Sequence, residues 1–233
     1  VSEKNAVKAA FAYISSITKL TFTEVAGSNT ANINFGNNDQ ANVSQGYAYI
    51  PTPASNPQTY LFMNNSGSFG TALNNVTEGT YDWLTIFHEI GHTLGLKHPG
   101  DYNAGGGGAP PPYLPKSQDN QQYSIMSYNS SPGGGYDSSY MLYDVAALQY
   151  LYGINTSGST ATGGSFTFNA SSTRYEKTLW SKNGTDTINL TGLNNANLVN
   201  LNAGSYSSIN IQGAQNFNAG SSIGKNNVAI AYG

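Results

Sequence analysis

The sequence predicts an α+β fold: helices with a mixed sheet over residues 1–155, then a small all-β module over 156–233. Three observations predict it. Two helical hydrophobic periods, one near the N-terminus and one around residue 86, enclose a run of short alternating segments. A third helical period closes at Gly153. Beyond Asn155, Ser, Thr, Gly and Asn dominate, broken only by short apolar runs of period two.

Asn5 to Lys19 carries Val7, Ala10, Phe11, Ile14 and Ile17, the spacing of an amphipathic core helix. Strands are expected at Thr21–Val25, Ala31–Phe35, Gly46–Ile50 and Gln58–Met63, with a turn at Gly36–Asp39 and a stop at Pro51 and Pro53. A helix from about Tyr81 to Leu94 has Thr80 as N-cap and Trp83, Ile86, Phe87, Ile90 and Leu94 as its buried stripe. Asp101 to Asp137 is loop-like, because Gly105–Gly108 and Pro110–Pro112 suit neither a helix nor a strand interior. So long a loop in a folded domain is usually functional. Met141–Tyr152 is the next helix. Strands follow at Ser165–Phe168, Asp186–Leu190, Leu198–Leu201 and Ile209–Ile211.

All three histidines fall within eleven residues, from His88 to His98. His88 and His92 are four apart and share one helix face. Gly95 can break the helix through a positive φ, and His98 returns as a third nitrogen. Neutral imidazole is the commonest protein metal ligand. Three imidazoles leave the fourth tetrahedral position of zinc open, as in catalytic sites, where a water would be acidified to a pKa of about 7. Glu89, one residue after the first ligand, would accept that water's proton and deliver it to a leaving amine. The five fixed positions arise by chance in a chain of this length on the order of once in ten thousand.

The run His88-Glu-Ile-Gly-His-Thr-Leu-Gly-Leu-Lys-His98 resembles the metzincin metalloproteases, whose pattern ends in a third histidine and a Met-turn. Its continuation to Ala104, Ser124-Ile-Met-Ser-Tyr128 and Asp144–Gly153 are similar to the serralysins, secreted bacterial zinc endopeptidases. The resemblance implies a metzincin catalytic domain, a twisted mixed sheet with a zinc-binding helix. It implies that Tyr128 is a further zinc ligand, which swings away to donate to the oxyanion. It also implies that Met126 packs under the imidazoles. Gly46, Tyr47, Ala48 and Tyr49 resemble the edge strand above that family's cleft, where an extended peptide adds antiparallel. Asp144 is expected to be structural. A segment preceding Val1 is expected from the resemblance, and the missing initiator Met suggests a processed or trimmed chain.

Nothing in the chain matches the calcium-binding nonapeptide repeats that follow in serralysins. Asp186, in Gly184-Thr-Asp-Thr187, matches a family calcium position, but Ser181 stands where a helping aspartate is usual. Between Thr156 and Gly233 the only carboxylates are Glu176 and Asp186, so weak or absent calcium binding is expected.

Composition narrows the partners. Charged residues make up 9% and the net charge is −3, with one arginine, which argues against nucleic acid. No apolar run approaches the roughly 20 residues that span a bilayer. The absence of cysteine excludes disulfides and thiol catalysis. The resemblance implies protein or peptide substrates and a secreted, extracellular protein, and a monomer is expected. The competing function is a glycan- or surface-binding β-module on a catalytically silent zinc domain. An intact Glu89 argues against silence, and protein hydrolysis with and without a chelator separates the two.

Overall fold

A computed structural model describes residues 3–26, 30–52, 58–66, 76–104, 106–156, 163–170, 176–211 and 225–232. The first helix, α1 (Glu3–Ile17), buries Ala6, Ala10, Ile14 and Ile17 along the face that the period predicts. Strands β1 (Ile33–Asn38), β2 (Gly46–Ala48) and β3 (Thr59–Asn64) form one sheet in the order β1-β3-β2. β1 runs parallel to β3 and β2 antiparallel, so the sheet is mixed and β2 is an edge strand. Helix α2 (Tyr81–Thr93) packs across this sheet and against α1. Helix α3 (Leu142–Tyr152) ends at Gly153, whose φ is 76°.

The main core draws on all of these elements: Ile14 and Ile17 from α1, Leu61 and Met63 from β3, Ile86 and Ile90 from α2, Val145 and Leu148 from α3. Apolar burial on this scale is the dominant favourable term in folding. The α1 and α3 ends are joined by hydrogen bonds, Lys19 N–H to Gly153 O at 3.0 Å and the Gln149 side chain to Ile17 O at 3.2 Å.

Two local expectations are overturned. Thr21–Val25 is not a strand. It lies along α1 instead, with the Phe22 ring 4.5 Å from Phe11 and Glu24 paired with Lys4 and Lys8 at 2.5 and 2.9 Å. Gly36–Asn38 is strand rather than turn, because β3 offers Phe62, Met63 and Asn64 as ladder partners. Asn64 then fixes the following loop. Its amide donates to Ala41 O and Ser44 O at 2.9 and 2.8 Å, which delivers the chain to β2.

The last third forms two small sheets. β4 (Ser165–Thr167) pairs parallel with β6 (Thr187–Asn189). β5 (Lys177–Leu179), β9 (Val228–Ile230), β8 (Tyr206–Ile211) and β7 (Ala196–Leu198) form the other, in that order. Both β4–β6 and β5–β9 are parallel pairs, which need crossovers rather than the tight turns that the composition suggests. The strand expected at Leu198–Leu201 ends at Leu198, and β5 and β9 were not foreseen. Phe168, Leu179, Ile209 and Val228 make a second, smaller core. Ala231 and Trp180 join the main core, and the Tyr13 hydroxyl donates to Thr178 O at 3.2 Å.

Candidate metal centre and active site

Helix α2 presents the first two histidines. The Thr80 hydroxyl oxygen caps its start, accepting from Trp83 N–H at 3.4 Å. Its end is set by Gly95, at φ 90°, a conformation that favours glycine because a Cβ is strained there. The chain turns back at that point and brings His98 against His88 and His92. The Nε2 atoms of His88 and His92 lie 3.2 and 3.1 Å from the Nε2 of His98. All three residues are buried, at 5–7% exposure.

The other ring nitrogens decide what those Nε2 atoms carry. His88 Nδ1 donates to Ile125 O at 2.9 Å and His92 Nδ1 to Leu96 O at 2.7 Å. His98 Nδ1 reaches Tyr102 O at 3.0 Å and Asn103 Oδ1 at 2.7 Å. A carbonyl only accepts, so each Nδ1 bears the proton of its neutral ring. Three Nε2 lone pairs then converge with no proton between them. Burial, helped by the neighbouring imidazoles, also holds His88 well below its ordinary pKa and His92 at about 4, which keeps both rings neutral. Convergent lone pairs repel unless a cation sits among them, so this donor set fits a metal ion. Three nitrogens suit zinc.

Glu89 is buried beside this centre, and its Oε2 has no hydrogen-bond partner. Burial pushes its carboxyl up to about 8. A cation at the imidazoles opposes that shift and favours the carboxylate. Met126 is fully buried and packs against α2 at Gly91. A Cβ at Gly91, between the two helical histidines, would lie 2.7 Å from the Met126 sulfur. The Met-turn is held by Asp144 of α3, which accepts from the Ser124 hydroxyl at 2.6 Å and from Ile125 and Met141 N–H at 2.7 and 2.9 Å. Because Ile125 O is the acceptor for His88, α3 orients that imidazole through the turn.

Tyr128 stands at the rim, 47% exposed, with its ring 4.4 Å from the His98 ring and 5.9 Å from that of His88. Gly46, Tyr47 and Ala48 form the edge strand β2, and Tyr49 N–H adds one more ladder bond, to Tyr60 O at 3.0 Å. A Cβ at Gly46 would lie 3.0 Å from Glu89 Cγ, so the free edge runs past the acid. Asp186 lies elsewhere. Its Oδ1 accepts Gly164 N–H at 2.6 Å, while the Ser181 hydroxyl donates to Asn183 O at 3.4 Å.

Sequence reasoning missed the residues that hold the site in place. The Tyr102 hydroxyl donates to Asp119 at 2.6 Å, lies 3.1 Å from the Ser127 hydroxyl and accepts Tyr128 N–H at 3.4 Å. Its ring stacks on Tyr128 at 4.9 Å. Asn103 clamps His98. Both follow the third histidine by four and five residues, and that proximity was the available signal. Asp119 carries no such signal.

Comparisons with known proteins place the chain in a family. A family model described as metallo-peptidase family M12 matches residues 3–139. A protein named metalloprotease AprA from Pseudomonas entomophila (strain L48) is 34% identical over 99% of this chain and 49% of its own length. Serralysin from Proteus mirabilis is 35% identical over 90% of this chain and 49% of its own. Serralysin C from Dickeya chrysanthemi is 36% identical over 83% and 44%. The chain thus spans about half the length of the curated relatives that it matches.

Proposed function

We propose, from the premise that the chain belongs to metallo-peptidase family M12 and is a serralysin-like metzincin, that it is a zinc-dependent endopeptidase. One observation carries the reading: three buried imidazoles aim unprotonated Nε2 atoms at one point, beside a buried glutamate. His88, His92 and His98 would hold the ion through those atoms. When bound, zinc supplies a Lewis acid that polarises a carbonyl and acidifies water.

The remaining steps belong to the chain. Glu89 takes the proton of the attacking water and returns it to the amine nitrogen as the peptide bond breaks. Its burial keeps that carboxylate away from competing solvent. The Tyr128 hydroxyl, a further ligand by the family resemblance, would donate to the oxyanion that develops on the substrate carbonyl. Gly46 to Tyr49 pair with an extended substrate backbone, which reads main chain more than side chains and gives broad specificity. Asp144, Tyr102 and Asn103 act on the reaction only through the groups that they orient. Secretion by a bacterium rests on the family resemblance. Among the described residues no helix is long and apolar enough to cross a membrane. Strands β4 to β9 belong to a β-rich C-terminal module, from which Trp180 and Ala231 pack into the main core.

Casein hydrolysis by the zinc-loaded chain should be abolished by a chelator and restored by zinc. Glu89→Ala should keep about one zinc and lose activity by about a thousandfold. Chelator-sensitive turnover at the wild-type rate in that variant would remove Glu89 from the mechanism. Stoichiometric zinc with no hydrolysis by wild type would remove the enzymatic reading.

A further inference from the structure

Away from the histidines, the least compensated polar cluster among the described residues joins Asp137 to Glu176. The two are partners in an isolated parallel bridge, with Ser138 N–H donating to Glu176 O at 2.8 Å and Glu176 N–H to Tyr136 O at 3.3 Å. Their side chains therefore stand on one face, about 5 Å apart at the backbone. Both are buried, at 0% and 2% exposure. Thr178 is two residues beyond Glu176 along the extended chain, on that same face, and is 3% exposed. Four oxygens here have no hydrogen-bond partner: both of Asp137, Oε2 of Glu176 and the Thr178 hydroxyl. The other Glu176 oxygen accepts from the Ser131 hydroxyl. Lys177, the adjacent basic residue in the chain, projects from the opposite face and pairs with Glu78 at 3.1 Å.

A cavity lies next to this cluster without opening into it. Its volume is about 350 Å³, and it is lined by Asn120, Gln122, Gly133 and Lys225, among others. Gly133 is its wall toward the acids. A Cβ there would sit 2.6 Å from Glu176 Oε1 and 3.3 Å from Lys225 O. Only the thickness of a glycine separates the cavity from the carboxylate.

Two desolvated carboxylates side by side repel each other and call for a compensating charge. Unsatisfied buried oxygens in a native fold point to an ion or water among them. The donor set is all oxygen, with two formal negative charges and a hydroxyl, and no nitrogen or sulfur. That composition selects a hard divalent cation taking about six to eight oxygen ligands, with waters completing the shell. We propose that Asp137, Glu176 and Thr178 form a calcium site that clamps residues 136–139 to β5. The site is independent of the Asp186 turn. The expectation of weak calcium binding counted carboxylates within 156–233 alone, and Asp137 lies outside that stretch. The clamp fastens the segment that carries Tyr140, whose hydroxyl donates to Phe87 O of the zinc helix at 2.8 Å.

The test is a calcium titration of the zinc-loaded chain, followed by calorimetric titration and by thermal melting. Wild type should show a saturable rise in Tm and about one calcium bound. Asp137→Asn and Glu176→Gln should each weaken that affinity about tenfold or more. Thr178→Val, which keeps the side-chain shape, should weaken it several-fold with the fold retained. Absence of a saturable response in wild type overturns the proposal. A response lost in Asp186→Asn and kept in Glu176→Gln assigns the ion to the other turn and also overturns it. Where the acidic variants do not fold, undiminished affinity in Thr178→Val has the same consequence.

Discussion

At the residue scale, the chemistry of the site is decided by which ring nitrogen carries a proton. Every histidine gives its Nδ1 hydrogen to a carbonyl oxygen, so every Nε2 is a free donor pair. The spacing of His88, His92 and His98 was legible in the sequence because helix geometry alone aligns the first pair. The acceptors were not, since Ile125 and Leu96 contribute main-chain oxygens, which any residue type supplies. Tyr128 has a stated role that substitution can separate from structure, because its side chain is at the rim. Tyr128→Phe should keep zinc and lower kcat about a hundredfold, with KM changed by less than about twofold. Steady-state kinetics on a fluorogenic peptide checks this, and an unchanged kcat would take the hydroxyl out of the mechanism.

At the element scale, α2 works because one glycine on it and one on the strand beside it let its neighbours approach closely. Gly91 admits the Met126 sulfur against the helix between the two ligands, and Gly46 admits β2 against Glu89. Gly91→Ala would push the Met126 sulfur out of its seat against the helix. It should cost about 1–3 kcal/mol of stability, as overpacked cores do. Chemical denaturation of the zinc-loaded protein measures the change, and a loss under about 0.5 kcal/mol would mean that the turn is not tightly seated. The length, cap and stop of α2 could be read from periodicity, Thr80 and Gly95. The short strands could not be bounded so well. Period two at Thr21–Val25 is satisfied equally by lying on α1, and Gly36–Asn38 reads as a turn until β3 supplies a partner.

At the scale of the whole molecule, the buried acids couple stability to pH. Burial pushes Glu176 up to about 7 in the calcium-free chain, and burial facing Glu176 drives Asp137 further above its ordinary range. The folded state then keeps protons that the unfolded chain releases near about pH 4. A raised folded value gives stability that is fully present below the unfolded value and lost as pH rises through about 7. In calcium-free buffer the wild-type Tm should therefore fall between about pH 5 and pH 8 more steeply than that of Glu176→Gln. Parallel slopes would show that the pair does not titrate in this window. Added calcium should flatten the wild-type slope, because the ion replaces the shared protons.

The sequence by itself determined the clustered histidines, the adjacent acid, the helix that carries His88, Glu89 and His92, and the mixed α+β plan. Each of these rests on local spacing, which the 3.6-residue turn of a helix converts directly into geometry. The tertiary structure alone decided which carbonyls hold each imidazole and that Asp137 meets Glu176 from 39 residues away along the chain. Those contacts join segments distant in sequence. Pairing between such segments depends on the packing of the entire core and leaves no periodic trace in either one.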